Sequence, residues 1–97
     1  MTDTVGQGTL KLVSGWSPSR SVDQTIGRIL TDSAGPNDVR RLSDGVYLVF
    51  TAEEPEDVRN EIAAQLTEGD SVFVVEFERW SSQGPAADRT WLLRRGH

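Results

Sequence analysis

The chain has 97 residues, enough for one domain and too few for two. It has no cysteine, which excludes disulfides, zinc–thiolate sites and thiol catalysis. Fifteen Asp and Glu against ten Lys and Arg give a formal charge of −5, so the chain as a whole repels phosphate backbones and generic nucleic-acid binding is not expected.

Met1–Gly8 is small and polar and reads as a flexible terminus without the apolar stretch of a signal peptide. No apolar run reaches the ~20 residues of a membrane span, so a cytoplasmic chain without membrane association is expected. Thr9–Val13 alternates apolar and polar residues and predicts the first strand. Ser14–Arg20, with its serines, Gly15 and Pro18, reads as a loop. Ser21 and Gln24 form a capping box that opens the first helix. Val22, Ile26, Ile29 and Leu30 then share one helical face, and Gly35-Pro36 ends it.

Val39–Leu42 and Val46–Thr51 flank Ser43-Asp44-Gly45, a strong hairpin signal. The second helix is expected over Pro55–Leu66, opening near Thr51 or Glu53. Pro55 suits its first turn, and the acids at 53, 54, 56 and 57 suit the positive end of its dipole. Val58, Ile62 and Leu66 would be its buried stripe, and Gly69-Asp70 its end. Ser71–Phe77 predicts a strand, Ser81–Asp88 a loop and Thr90–Arg94 a last strand. The order predicts a single α+β domain: a ferredoxin-like βαββαβ sandwich with an extra C-terminal strand and two helices on one face of an antiparallel sheet.

Val46, Leu48 and Phe50 alternate with Tyr47 and Val49, and Val72 and Val74 alternate with Phe73, Val75 and Phe77. Both strands are therefore apolar on both faces. Two helices cover one face, so the other needs a cover. A second copy related by a two-fold is the expected cover, which predicts a homodimer. Its candidate face is Tyr47, Val49, Phe73, Val75, Phe77, Trp91 and Leu93, with the last strand extending the partner's sheet. The alternative is that Trp91–Leu93 folds over the open face in cis.

Candidate chemistry is sparse, and no cofactor, metal set or catalytic set is expected. His97 is the one histidine and ends the chain, a poor position for a general base. The run Glu53–Asp57 reads as a helix start rather than a cation site. Trp16, Ser19, Arg20 and Ser21 form a candidate anion or ligand loop at a helix start. Against it, Trp16 would fold under the core edge and Arg20 would be solvated. Arg40, Arg41, Arg94 and Arg95 are expected to pair with acids. An RNA-recognition domain shares the element order, but its basic-Gly-aromatic strand pattern is replaced here by Asp44-Gly45-Val46.

The segment Leu42–Val49, the helix Pro55–Leu66 and the run Glu68–Glu76 together resemble the small CRISPR-associated spacer-integration family and its SinR-like and virulence-associated D relatives. The resemblance implies a ferredoxin-like fold, a symmetric dimer packed through sheets, and last strands that reach across to the partner. Nuclease members of that family hold a divalent metal with an Asp at the end of the first strand. Here that stretch reads Leu12-Val13-Ser14-Gly15, so no catalytic residue carries over. The leading expectation is a non-enzymatic homodimeric interaction or regulatory module, with a defence or toxin–antitoxin setting implied by resemblance. The alternatives are a divergent metal-dependent ribonuclease of the same fold and a sensor of small anions using loop 15–21.

Overall fold

The structure, a computed structural model, describes residues 8–85 and 87–95. Most of the stretch read as a flexible N-terminus, and His97, lie outside the described residues. The elements are β1 (Thr9–Trp16), α1 (Asp23–Ala34), a 3-10 turn (Pro36–Asp38), β2 (Val39–Ser43), β3 (Val46–Thr51), α2 (Pro55–Ala63), β4 (Ser71–Phe77) and α3 (Arg89–Arg94). The strands form one four-stranded sheet in the order β2-β3-β1-β4, with every pairing antiparallel. This α+β arrangement is compatible with a ferredoxin-like sandwich. Among the described residues no helix is long and apolar enough to cross a membrane.

α1 and α2 share one face of the sheet, as their apolar stripes demand. Ile26, Ile29 and Leu30 of α1 and Val58 and Ile62 of α2 pack with Val13, Val39, Tyr47 and Val49. Ile26, Val58 and Ile62 are each at most 2% exposed. Burying a side chain of this size contributes ~1.5–3 kcal/mol. Two glycines let β1 and the hairpin meet backbone to backbone. Gly15 N–H donates to the Gly45 carbonyl at 2.8 Å. The Ile26 side chain fills the space a Cβ on Gly15 would need, and Gly45, at φ 73°, leaves room for the Gly15 carbonyl. The Asp44-Gly45 turn thus forms as expected, with an irregularity in β2 between Arg41 and Ser43.

The first strand runs three residues beyond its expected end. Ser14, Gly15 and Trp16 stand opposite Phe73, Val72 and Ser71 of β4. A central strand with a neighbour on each side keeps its ladder through residues that, by composition alone, look like loop. The capping box at Ser21 does not form: Val22 is the N-cap, with no side-chain cap bond. The Ser21 hydroxyl accepts from the Asp23 N–H at 3.2 Å and donates to Asp44 at 2.9 Å, because the hairpin turn comes up beside the helix start. α2 begins at Pro55 as expected and ends at Ala63, short of Leu66.

The C-terminal segment is the largest correction. Arg89–Arg94 is a helix, not a strand, so it cannot extend a partner's sheet. Asp88 caps it by accepting from Trp91 N–H at 3.0 Å. Trp91 and Leu92 are 4% and 3% exposed and pack on Leu10 and Leu48, on the face opposite α1 and α2. Consecutive residues of a strand point to opposite sides, whereas consecutive residues of a helix can both reach one sheet. The cis cover that the sequence left as the alternative is therefore present over part of the open face.

Candidate interaction surface

Register decides which side chains share a face. Val13 stands between Tyr47 on β3 and Val74 on β4, so these three point toward α1 and α2. Tyr47 and Val49 lie in the helix-side core and do not belong with Phe73, Val75 and Phe77, which point to the opposite face with Leu10 and Leu12. Of the residues expected to form one dimer face, Trp91 is buried against its own sheet and Phe77 flanks it. Phe73 and Leu93 stay exposed, at 56% and 51%.

Polar contacts hold α3 on its part of the face. Arg40 pairs with Asp88 at 3.1 Å, and Arg95 pairs with Asp38 at 2.7 Å. The Trp91 ring lies between the two guanidinium groups, 5.4 Å from that of Arg40 and 5.1 Å from that of Arg95. Trp91 Nε1 and Arg95 Nη2 both donate to the Asn37 carbonyl, at 2.7 and 2.6 Å. The Trp91 N–H and the Arg40 guanidinium hold the Asp88 carboxyl below its ordinary range. Three of the four arginines singled out in the sequence thus pair with acids of their own chain: Arg40, Arg95 and Arg41, the last with Asp23 at 3.1 Å.

Among the described residues nothing covers the rest of the face. Trp16, 54% exposed, ends β1 one diagonal step from Phe73 on β4. Val75 lies half-buried beside Phe73, while Leu12 packs against the cluster under α3. Trp16 was grouped with the loop by sequence; the longer β1 moves it onto the sheet. Among the described residues β4 is also an outer strand, with β1 its one neighbour in the sheet. A groove of about 320 Å³ runs along that edge, lined by Pro55, Glu56, Arg59, Val72, Phe73 and Val74.

The candidate anion loop is occupied by its own acids. Arg20 donates to Asp70 at 2.5 Å, and Asp70 also accepts from the Thr67 N–H and hydroxyl, at 2.9 and 3.0 Å. The Thr67 N–H, the Ser17 hydroxyl and Arg20 hold the Asp70 carboxyl far below its ordinary range. Ser19 pairs with Ser17, and Ser21 with Asp44. The cation and hydroxyls that an anion would need are thus turned to carboxylates and to one another.

Two other polar places were not legible in the sequence. A cleft of about 500 Å³ between α1 and β2 holds Asp23, Arg41 and Tyr47. Tyr47 reaches it because Gly27 leaves room for its hydroxyl, which donates to the Asp23 carbonyl at 3.2 Å. Burial alone would raise the Asp23 carboxyl, but the Gly45 N–H at 2.6 Å and Arg41 outweigh it and hold it low. Lys11, 1% exposed, donates to the Thr51 carbonyl at 2.8 Å and to the Thr9 hydroxyl, with Glu76 at 3.6 Å. Among the described residues no three His, Asp or Glu side chains converge as a metal set. Compared with protein-family models, curated proteins and solved structures, the chain finds no significant match in any of the three.

Proposed function

We propose that this chain is a non-enzymatic interaction module of ferredoxin-like build that acts as a homodimer through the part of the sheet face left open by α3. The observation that carries this reading is the pair Trp16 and Phe73, large aromatics 54% and 56% exposed on adjacent strands of that face. Exposed aromatics grouped with half-buried Val75 make a patch of the kind that binds protein. A second copy is the simplest owner of a matching patch. The resemblance to the CRISPR-associated family points the same way for dimerisation, and it alone supports a defence or toxin–antitoxin setting.

Sedimentation of the unaltered chain beside Trp16→Ser and Phe73→Ser tests the reading. Both positions are exposed, so each variant should stay folded while shifting the dimer toward monomer. Dimers that sediment unchanged in both variants would remove the face from the interface.

A further inference from the structure

The two edges of the sheet are not alike. β2 is short, carries Arg40 and Arg41, and has an irregular register against β3. Short length, positive charge and irregular pairing are the devices that keep an edge strand from pairing with another chain. β4 has none of them. Its seven residues, Ser-Val-Phe-Val-Val-Glu-Phe, contain no Pro, Lys or Arg and pair with β1 at seven consecutive positions without a shift. Its single charge, Glu76, has Lys11 at 3.6 Å. The outer side of β4 is thus a straight, nearly uncharged row of backbone donors and acceptors.

We propose that two copies join β4 to β4, antiparallel about a two-fold, so that their sheets continue as one across the seam. This rests on the reading of the chain as a homodimer above and places the seam at the edge of the open face, beside Phe73. In antiparallel pairing, opposite residues share a face. A two-fold beside Val74 therefore sets Phe73 opposite the partner's Val75 on the open face. On the helix face it sets Val74 opposite its own counterpart and Val72 opposite the partner's Glu76. The groove between α2 and β4 is floored by Val72 and Val74, and the side chains set beside these two are the partner's Glu76 and the partner's Val74.

Charge favours a second copy as the occupant. The chain is at −5, so two copies repel over most of their surfaces. The seam is the exception. Its two Glu76 side chains fall at opposite ends, each beside its own Lys11. The rim of α2 carries Glu56 and Arg59, 3.8 Å apart, a pair that a two-fold can match to itself with Arg59 toward the partner's Glu56. Phe73 also touches both surfaces, since it lines the edge groove and stands beside Trp16 on the open face.

The absence of cysteine makes single-cysteine cross-linking clean. Val74→Cys should form a disulfide-linked dimer under mild oxidation, while Asp32→Cys, exposed on α1, should not. In the unaltered chain, amide exchange should show β4 protected on its outer side at high concentration and deprotected on dilution. A dimeric mass with neither the Val74→Cys cross-link nor concentration-dependent protection of β4 overturns the edge pairing and leaves the dimer standing. A monomer at every concentration overturns both.

Discussion

Gly15 and Gly45 are the tightest points of the fold, where β1 crosses the hairpin turn with no side chain between them. A methyl at position 15 must displace the Ile26 side chain, which is fully buried and has nowhere to go. Gly15→Ala should therefore cost ~1–3 kcal/mol, read as a fall in the urea midpoint at constant m-value. Two carboxylates respond oppositely to pH. Asp23 is held low, so its bonds to Gly45 and Arg41 stabilise fully above the unfolded pKa of ~3.9 and are lost as pH falls through its lower folded value. Glu53 is pushed up by burial and by the charge of Glu61, so its ionisation destabilises the fold above its folded pKa and the strain is relieved as pH falls. Glu53→Gln should raise the urea midpoint at pH 7, and its advantage over the unaltered chain should vanish in acid. A Glu53→Gln advantage that persists at low pH would show that repacking, not charge, is responsible.

At the scale of elements, α3 is held to the sheet by two buried side chains, Trp91 and Leu92. Trp91→Ala removes the largest side chain between α3 and the sheet and should cost ~3–5 kcal/mol, read by denaturant unfolding. Asp88→Ala removes the helix cap and the partner of Arg40, and the emission of Trp91 should move to the red as the indole meets water. α1, β2, β3, α2 and β4 were legible because each carries its own periodicity or turn chemistry: the Ile26–Leu30 stripe, the Asp44-Gly45 turn, Pro55 at a first turn. α3 was not, because Trp91-Leu92-Leu93 is too short for periodicity to separate helix from strand. Its signal was Asp88, an N-cap residue three positions ahead of Trp91, inside a stretch whose Ser, Gly and Pro read as loop. The end of β1 was hidden for the converse reason, since Ser14 and Gly15 are strand residues only because two neighbours pair with them. Both errors bear on the candidate site: the first hid the cover of the open face, the second hid Trp16 on it. Lys11 gave no warning either, since a lysine in an alternating strand reads as the solvent side.

At the scale of the whole molecule, the sheet divides the chain into a closed side and a half-open one. The closed side holds the continuous core under α1 and α2. The half-open side is covered by α3 around Leu10, Leu48 and Phe77 and, among the described residues, bare near Trp16 and Phe73. A second copy paired along β4 would satisfy the unguarded edge and set the partner's Val75 beside Phe73, which neither the cis cover nor the protected β2 edge can do. Leu93, exposed on the outward side of α3, lies outside that seam, and Leu93→Ser should leave the dimer intact. Small-angle X-ray scattering across a concentration series tests the central claim most directly, because one curve reports both mass and shape. The single chain has a Cα radius of gyration of 13.3 Å and a mass of 10.7 kDa. A homodimer joined at β4 predicts a mass of 21.4 kDa, twice 10.7, with a radius of gyration clearly above 13.3 Å. A mass of 10.7 kDa with a radius near 13.3 Å at every concentration would contradict it.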